Sequence, residues 1–514
     1  MLLRLGSARE DADNASFTRR AYSACSQRAY RTAQADSRRR ATPHLRLTMN
    51  STTSTQRTAS PLLLQALQER FGAQVSTALA VREQHGRDEG SIQAPPPDAV
   101  VFAESAKDVA DAVRLANEHN TPVIAYGAGS SLEGHLLAVQ GGISIDVSRM
   151  NKIIAIDADD LTVTVEPGIT RKQLNEALKH QGLFFPIDPG ADASVGGMTA
   201  TRASGTNAVR YGTLRENVLA LEVVLASGET IHTGTRAKKS AAGYDLTRLF
   251  VGSEGTLGIF TQITLKLYPL PEAVSAAICS FPSIEQAVRT VITTIQLGVP
   301  IARVELLDGP TVGLVNQYSK LTLREEPMLL MEFHGSPASV KEQAETVQEI
   351  AAEYEGQAFE WAHTPEERTR LWTARHNAYF AGVQSRPGCR VITTDTCVPI
   401  SRLADCLLAS VAEAQASGIT YFLVGHVGDG NFHFGYLINP DDEDERQRGE
   451  ALSLALVSRA IEMGGTCTGE HGIGIHKMDY LVQETGDGAV AVMRSIKQAL
   501  DPKNILNPGK IFAQ

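Results

Sequence analysis

The sequence predicts an α+β protein of two or three domains, and three observations carry that reading. At 514 residues, 43% hydrophobic and 21% charged, the chain can bury more than one core. Aromatic residues reach only 6% against 43 glycines, a balance that favours loop-rich mixed architecture over an aromatic-packed all-β one. Two successive strand–helix patterns run along the chain, and Pro269 and Pro271 break the rhythm between them.

The first 60 residues stand apart. Ten arginines precede Met49 among Ser, Thr and Ala, and no lysine appears before Lys107. Arg- and Ser-rich composition reads as a mitochondrial transit peptide, whereas Glu10, Asp11, Asp13 and Asp36 oppose that reading and Met49 offers an alternative start. Both readings stay open: one places the protein in the mitochondrion, the other in the cytoplasm, peripheral to a membrane at most. From Pro61 the spacing of Leu62, Leu63, Leu64, Leu67 and Phe71 predicts a leading helix that stops at Gly72, with a linker to residue 96.

Strand and helix signals then alternate: AVVFA, the helix SAKDVADAVRLANEHN, PVIAYG, GISIDV, KIIAID, TVTVEPG, the helix TRKQLNEALKHQG, and β-rich runs at Leu219 to Ala226 and Gly258 to Leu267. Residues 97–270 form the first domain on this pattern. Beyond it, AAICSF, ARVELLD, MLLMEFHG and TYFLVGHV alternate with the amphipathic stretches SIEQAVRTVITTIQLG and SPASVKEQAETVQEIAAEY, which predicts helices on one face of an antiparallel sheet over residues 271–485.

Composition excludes several function classes. A net charge of -10 gives no basic face for nucleic acid. Six scattered cysteines without a CxxC or CxxCH pattern exclude a disulfide framework, an iron–sulfur cluster and a c-type haem. No apolar run approaches the ~20 residues of a membrane span.

Three small-residue loops carry the first chemical signal. The segment from Tyr126 to His135 sets Gly127, Gly129, Ser130, Ser131 and Gly134 directly after a strand, where bare N–H groups can curl around an anion. It approaches the dinucleotide GxGxxG, but Leu132 replaces a glycine and no room for a crossover helix remains before Ile143, which disfavours a Rossmann unit. Alone, this loop reads equally as an ordinary Gly/Ser turn. The run from Ile187 to Thr213 adds Pro189, Gly190, Ser194, Gly196, Gly197, Ser204, Gly205, Asn207 and Gly212, and the run from Val251 to Phe260 adds Ser253, Gly255 and Gly258, with Ile259 beside them as a further cofactor candidate. Three such loops suit a large, flat cofactor with a pyrophosphate, because backbone must approach it closely.

The second signal is a ligand set. GHVGDGNFH carries His426 and His433 around a turn, and GGTCTGEHGIG carries Glu470 and His471. Two histidines and a carboxylate suit zinc or a harder divalent ion such as manganese. Taken alone, the first motif reads equally as a hairpin with surface histidines. In LWTARHNAYF, an amphipathic helix, Arg375 alone reads as a solvated charge.

Together, GAGSSLEGH, PGADASVGGM with SGTNAVRYG, and VGSEGTLGI resemble the flavin-binding half of the vanillyl-alcohol-oxidase-type (PCMH) FAD superfamily. Within it the chain is similar to cytochrome-linked D-lactate dehydrogenases, glycolate oxidases and D-2-hydroxyglutarate dehydrogenases. The resemblance implies a two-subdomain FAD domain, a mixed α/β cap with an antiparallel sheet, and a segment 486–514 that returns to the FAD domain through NILNPGKIF and brings Asn507 to the cofactor. It implies non-covalent FAD despite His135 at the end of the first loop. It also implies His426, His433 and Glu470 as metal ligands, His471 as the base, and Arg375 on the substrate carboxylate. Thr393 stands where 2-hydroxyglutarate enzymes carry lysine, which favours a monocarboxylate. The implied reaction is oxidation of a D-2-hydroxy acid, D-lactate first, to its 2-oxo acid, by a homo-oligomer. Electrons leave to an external acceptor: cytochrome c, a quinone or an electron-transfer flavoprotein. Rival readings are a glycolate oxidase subunit, a D-2-hydroxyglutarate dehydrogenase, a metal-dependent hydrolase and a non-catalytic nucleotide-binding subunit.

Overall fold

The computed structural model describes residues 56–90, 94–362 and 364–513; the readings made for the first 55 residues lie outside them. The leading helix, Pro61–Phe71, is capped by the Ser60 side chain and buries Leu63, Leu67 and Phe71. It packs with Ala106–Glu118, capped by Ser105, whose Val109, Ala112, Val113 and Ala116 complete one apolar face. Both helices cover a four-stranded sheet in the order Val75–Ser76, Ala99–Phe102, Ile143–Asp146, Val123–Tyr126.

The last three of these strands run parallel. Residues 127–142 join Val123–Tyr126 to Ile143–Asp146 without a helix, as the sequence argument required, yet the strands pair in parallel all the same. An irregular glycine-rich loop makes the crossing that a helix ordinarily makes.

A second sheet of five antiparallel strands, Ile153–Asp157, Thr162–Val165, Ile259–Lys266, Val218–Val224 and Thr230–His232, has its own core with the helices Arg171–Leu178 and Val195–Thr201. The C-terminal segment returns to the first sheet. Val123 N–H donates to the Ile505 carbonyl and Asn507 N–H to the Val123 carbonyl, while Ile505 and Leu506 are fully buried in the first core.

The third sheet is antiparallel throughout, in the order Gln357–Ala362, Ala273–Ser280, Met328–Gly335, Arg303–Leu307, Thr420–His426, Asn431–Ile438, Arg390–Thr393, with Thr396–Cys397 also on Asn431–Ile438. Here the structure corrects the one-face expectation. Ala277 and Cys279 face Ile284–Gln296, Pro337–Glu353, Leu403–Ser417 and Glu443–Glu462, whereas Ile278 between them faces Gly309–Ser319, Pro365–His376 and Ala378–Ser385. Strand alternation sends neighbouring apolar residues to opposite faces, so a sheet apolar on both sides needs two helical layers. LWTARHNAYF is accordingly two helices, broken at Asn377.

No helix among the described residues is long and apolar enough to cross a membrane. The returning segment is pinned by Asp501, fully buried, whose carboxylate accepts from Ile505 N–H, Leu506 N–H and Lys497 Nζ. Asp501→Ala strands the buried Lys497 ammonium and should lower stability by about 3–5 kcal/mol. A urea-unfolding midpoint unchanged from wild type would refute this.

Candidate functional site

The site is built on the second face of the third sheet. Thr420–His426 and Asn431–Ile438 form a hairpin in which His426 pairs with Asn431 and Val424 with His433. Residues two apart share a face, so both imidazoles project to the same side, their ring centroids 5.3 Å apart. The turn needs glycine at 430, where φ is +80° and a Cβ would lie 2.1 Å from the Val398 carbonyl oxygen. On the adjacent strand, Leu306 pairs with Gly425, which sets Glu305 beside His426.

Each histidine has its Nδ1 engaged. His426 Nδ1–H donates to Glu305 Oε1 at 2.7 Å, and His433 Nδ1–H to the Thr394 carbonyl at 3.1 Å. This turns both Nε2 atoms toward Glu470 Oε1, at 3.3 and 3.4 Å. One atom from each of the three residues lies within 4.8 Å of the others, and Glu470 Oε2 is buried without a hydrogen-bond partner among the described residues. Two Nε2 lone pairs and a carboxylate fit a divalent ion, and the acceptor on each Nδ1 fixes the orientation and tautomer of its ring. Burial works against charge on all three, yet Glu305 and Glu470 hold His426 well above its ordinary range, and the two histidines hold Glu470 well below. Burial dominates at His433 and lowers it.

Asp395, fully buried, fastens the Glu470 loop. Its Oδ2 accepts from the backbone N–H of Glu470 and of His471 and from Thr468 Oγ1, and its Oδ1 from Asn431 Nδ2. With His433 and His471 it makes a second cluster of ligand type. The four donors occupy its oxygens, so it acts as an anchor. His471 stacks on His433, ring centroids 5.2 Å apart, and its Nδ1 faces Glu133 and Asp395. Burial opposes its protonation, but those carboxylates raise it above its ordinary range.

Arg375, expected on a substrate carboxylate, is buried, and its Nε and Nη2 both reach Glu305 Oε2, at 2.9 and 2.6 Å. Glu305 thus holds His426 with one oxygen and Arg375 with the other. Burial works to raise the Glu305 carboxyl, and the two cations hold it below its ordinary range.

The three small-residue loops converge. A Cβ on Gly127 would lie 2.4 Å from Ser194 Oγ, which caps Val195–Thr201 by accepting from Gly197 N–H. Asn507 Nδ2 donates to the His135 and Glu254 carbonyls, and Gly255 lies against it. Gly129 and Gly134 have φ of +76° and +82°, and the N–H of Gly134 and the Ser131 hydroxyl both point at the Asp88 carboxylate. Pro189, Gly190, Ser130 and Ser204 remain partly or wholly exposed beside them. Gly205 passes within 2.6 Å of Asp188 at the position of its absent Cβ. Buried Ser253 Oγ in the third loop has no hydrogen-bond partner among the described residues.

Other named residues have structural work. Asn207 receives Arg303 Nε on its carbonyl oxygen and donates to the Pro186 carbonyl, so its side chain braces the second loop. Gly212 ends the helix Ala208–Tyr211 at φ +76°, Gly258 packs where a Cβ would meet Val223 at 2.3 Å, and Ile259 is a buried strand residue. A cavity of about 350 Å³, walled by Arg202, Ser253, Glu254, Leu257, Ile473 and Phe512 among others, reaches Glu470. Of the cofactor candidates named from the sequence, Ser253 alone lines it.

Sequence reasoning missed Glu305, Asp395, Glu133 and Lys477. The available signal was charge in an apolar setting: Glu305 interrupts Val304, Leu306 and Leu307 in a buried strand.

Comparison with known proteins gives consistent matches. The FAD binding domain profile matches residues 97–234, and that of FAD linked oxidases, C-terminal domain, residues 270–511. A probable mitochondrial D-lactate dehydrogenase of Danio rerio is 50% identical over 441 residues, covering 85% of this chain and 89% of that protein. The mitochondrial D-lactate dehydrogenase [cytochrome] of Arabidopsis thaliana is 45% identical, over 83% and 76%. The structure of p-cresol methylhydroxylase with substrate bound superposes with a TM-score of 0.72 at 18% identity, over 89% and 98%; that likeness concerns the fold, which is of the PCMH type.

Gly129→Val would place a branched side chain at φ +76° with its Cβ 2.4 Å from the Tyr126 hydroxyl. The purified variant should have lost most of its bound flavin, read as the ratio of visible to protein absorbance; full occupancy would reject the loop as a cofactor cradle.

Proposed function

The chain belongs to the family of FAD-linked oxidases, and on that premise we propose that it oxidises D-lactate to pyruvate and passes the electrons to cytochrome c. The observation that carries the reading is Glu305, one buried carboxylate that sets an arginine beside a metal-competent histidine. An α-hydroxy acid presents a carboxylate and a hydroxyl on adjacent carbons, which is what such a pairing can grip.

When bound, FAD would accept hydride from the substrate carbon, and a zinc or manganese ion on His426, His433 and Glu470 would act as a Lewis acid. Arg375 holds the carboxylate through the guanidinium edge that Glu305 leaves open. His471, adjacent in sequence to Glu470 and stacked on His433, takes the hydroxyl proton at Nε2 while Nδ1 faces Glu133 and Asp395. Thr393 offers a hydroxyl where a second substrate carboxylate would need an ammonium, which supports a monocarboxylate. Half-buried Cys397 and buried Cys467 have thiols pushed up by desolvation, Cys397 to about 12, which makes them poor nucleophiles or ligands.

The purified protein should show flavin absorbance that D-lactate bleaches anaerobically and L-lactate does not. Absence of the flavin bands, or bleaching by neither acid, would overturn the reading. His426→Ala should lower metal content and turnover together. His471→Ala should keep flavin and metal and lose on the order of 10²- to 10⁴-fold in rate, as for a general base. Elemental analysis of both variants separates the roles; metal loss in His471→Ala alone would reverse them.

The mitochondrial location is favoured over the cytoplasmic one by the names of the relatives and by the Arg- and Ser-rich first residues. Removing residues 1–48 should abolish import into isolated mitochondria and leave flavin content and D-lactate oxidation unchanged; unimpaired import would contradict the assignment.

A further inference from the structure

We propose that Glu133, which lies on the glycine-rich loop of the first domain, is a positioning residue for His471 of the cap and holds its ring for proton transfer. The inference rests on the reading of His471 as the base.

A base ring works only if one nitrogen is held while the other faces the substrate. Two buried carboxylates face His471 Nδ1: Glu133 Oε1 at 3.5 Å and Asp395 Oδ2 at 3.9 Å. Asp395 Oδ2 already accepts from Thr468 Oγ1 and from the N–H groups of Glu470 and His471, so it sets the backbone of the loop. Glu133 is the nearer group and makes no such backbone bonds with its carboxylate. That carboxylate is aimed instead by two cap residues beyond the base, Lys477 Nζ at 2.9 Å from Oε1 and His476 Nδ1 at 3.0 Å from Oε2.

The backbone fixes the approach. Ile475 N–H donates to the Glu133 carbonyl at 2.7 Å, and a Cβ on Gly474, where φ is +53°, would lie 2.0 Å from that oxygen. His471 and residues 474 to 477 therefore close around Glu133, while the Ile473 and Gly474 N–H groups reach Glu254 of the same domain. Because Glu133 sits between Ser131 and Gly134, the loop suited to the cofactor also orients the base, beside the contact that Glu254 makes with Ile473 and Gly474.

The test is Glu133→Gln, which keeps the shape and removes the charge. Flavin and metal content should match wild type, KM for D-lactate should stay within about twofold, and flavin reduction at saturating D-lactate should slow by about 10- to 100-fold, the range for an outer-shell partner. In a His471→Ala background the same substitution should cost nothing more, because Glu133 acts through that ring. Glu133→Asp, which withdraws the carboxylate by one methylene, should recover part of the loss and decides the matter should the glutamine variant not fold. Wild-type flavin reduction in either variant, or an undiminished loss in the His471→Ala background, would overturn the proposal. A wild-type rate in His471→Ala alone would instead remove the base assignment itself.

Discussion

Every part of the site depends on the constraint that a buried carboxylate must be matched by donors or cations. Glu133, Glu254, Glu305 and Asp395 are all buried, and burial alone would raise each of them. Each is instead held below its ordinary range by residues distant in sequence. Glu305 is matched by Arg375 and His426, Asp395 by the 468–471 backbone with His433, His471 and Lys477, and Glu254 by His135 and the N–H groups of Ile473 and Gly474. Breaking one partner leaves an uncompensated charge, so the geometry that satisfies all four is strongly selected against alternatives. The site is in that sense a by-product of neutralising four acids in low dielectric.

The same constraint explains where the glycines fall. Donors can reach a buried carboxylate only if backbones approach it, and Gly472 passes where a Cβ would lie 2.7 Å from Glu254 Oε1 and 2.9 Å from His135 Nε2. A loop with side chains at 472 and 474 could not dock on the first domain. Glycine in GEHGIG therefore serves contact between domains as much as any ligand.

What was legible in the sequence was what is local. The hairpin that brings His426 and His433 to one face follows from their spacing around GDGN, and the three small-residue loops announce close backbone approach. Glu305 was not legible, because its partners lie 70 and 121 residues away and its own segment reads as an ordinary strand. The second helical layer was missed for a related reason: periodicity shows that a strand is apolar on both sides without showing what covers the second. That layer matters, since Arg375 lies on one of its helices and Glu305, His426 and His433 lie on the strands. Gly212, Gly258 and Ile259 show how a small-residue loop carries structure as well as any ligand contact. Each also has a local role, as a helix stop, a tight strand crossing and a core position, and that role alone accounts for its residue type.

Alternation along one short strand then ties the two halves together. In Arg303–Leu307, residues 303, 305 and 307 share a face. Leu307 packs in the second helical layer, Glu305 holds the histidine and the arginine, and Arg303 reaches Asn207 and Asp188 of the second glycine-rich loop. Arg303 also lies over the Trp372 ring, 4.9 Å from its centroid, on the helix that carries Arg375. A one-residue slip of this strand would send all three side chains to the opposite face, separating Glu305 from His426, from Arg375 and from the loop beside them. The core contact of Leu307 thus sets the register on which the chemistry of Glu305 depends, which is why packing and function cannot be assigned to different parts of this strand.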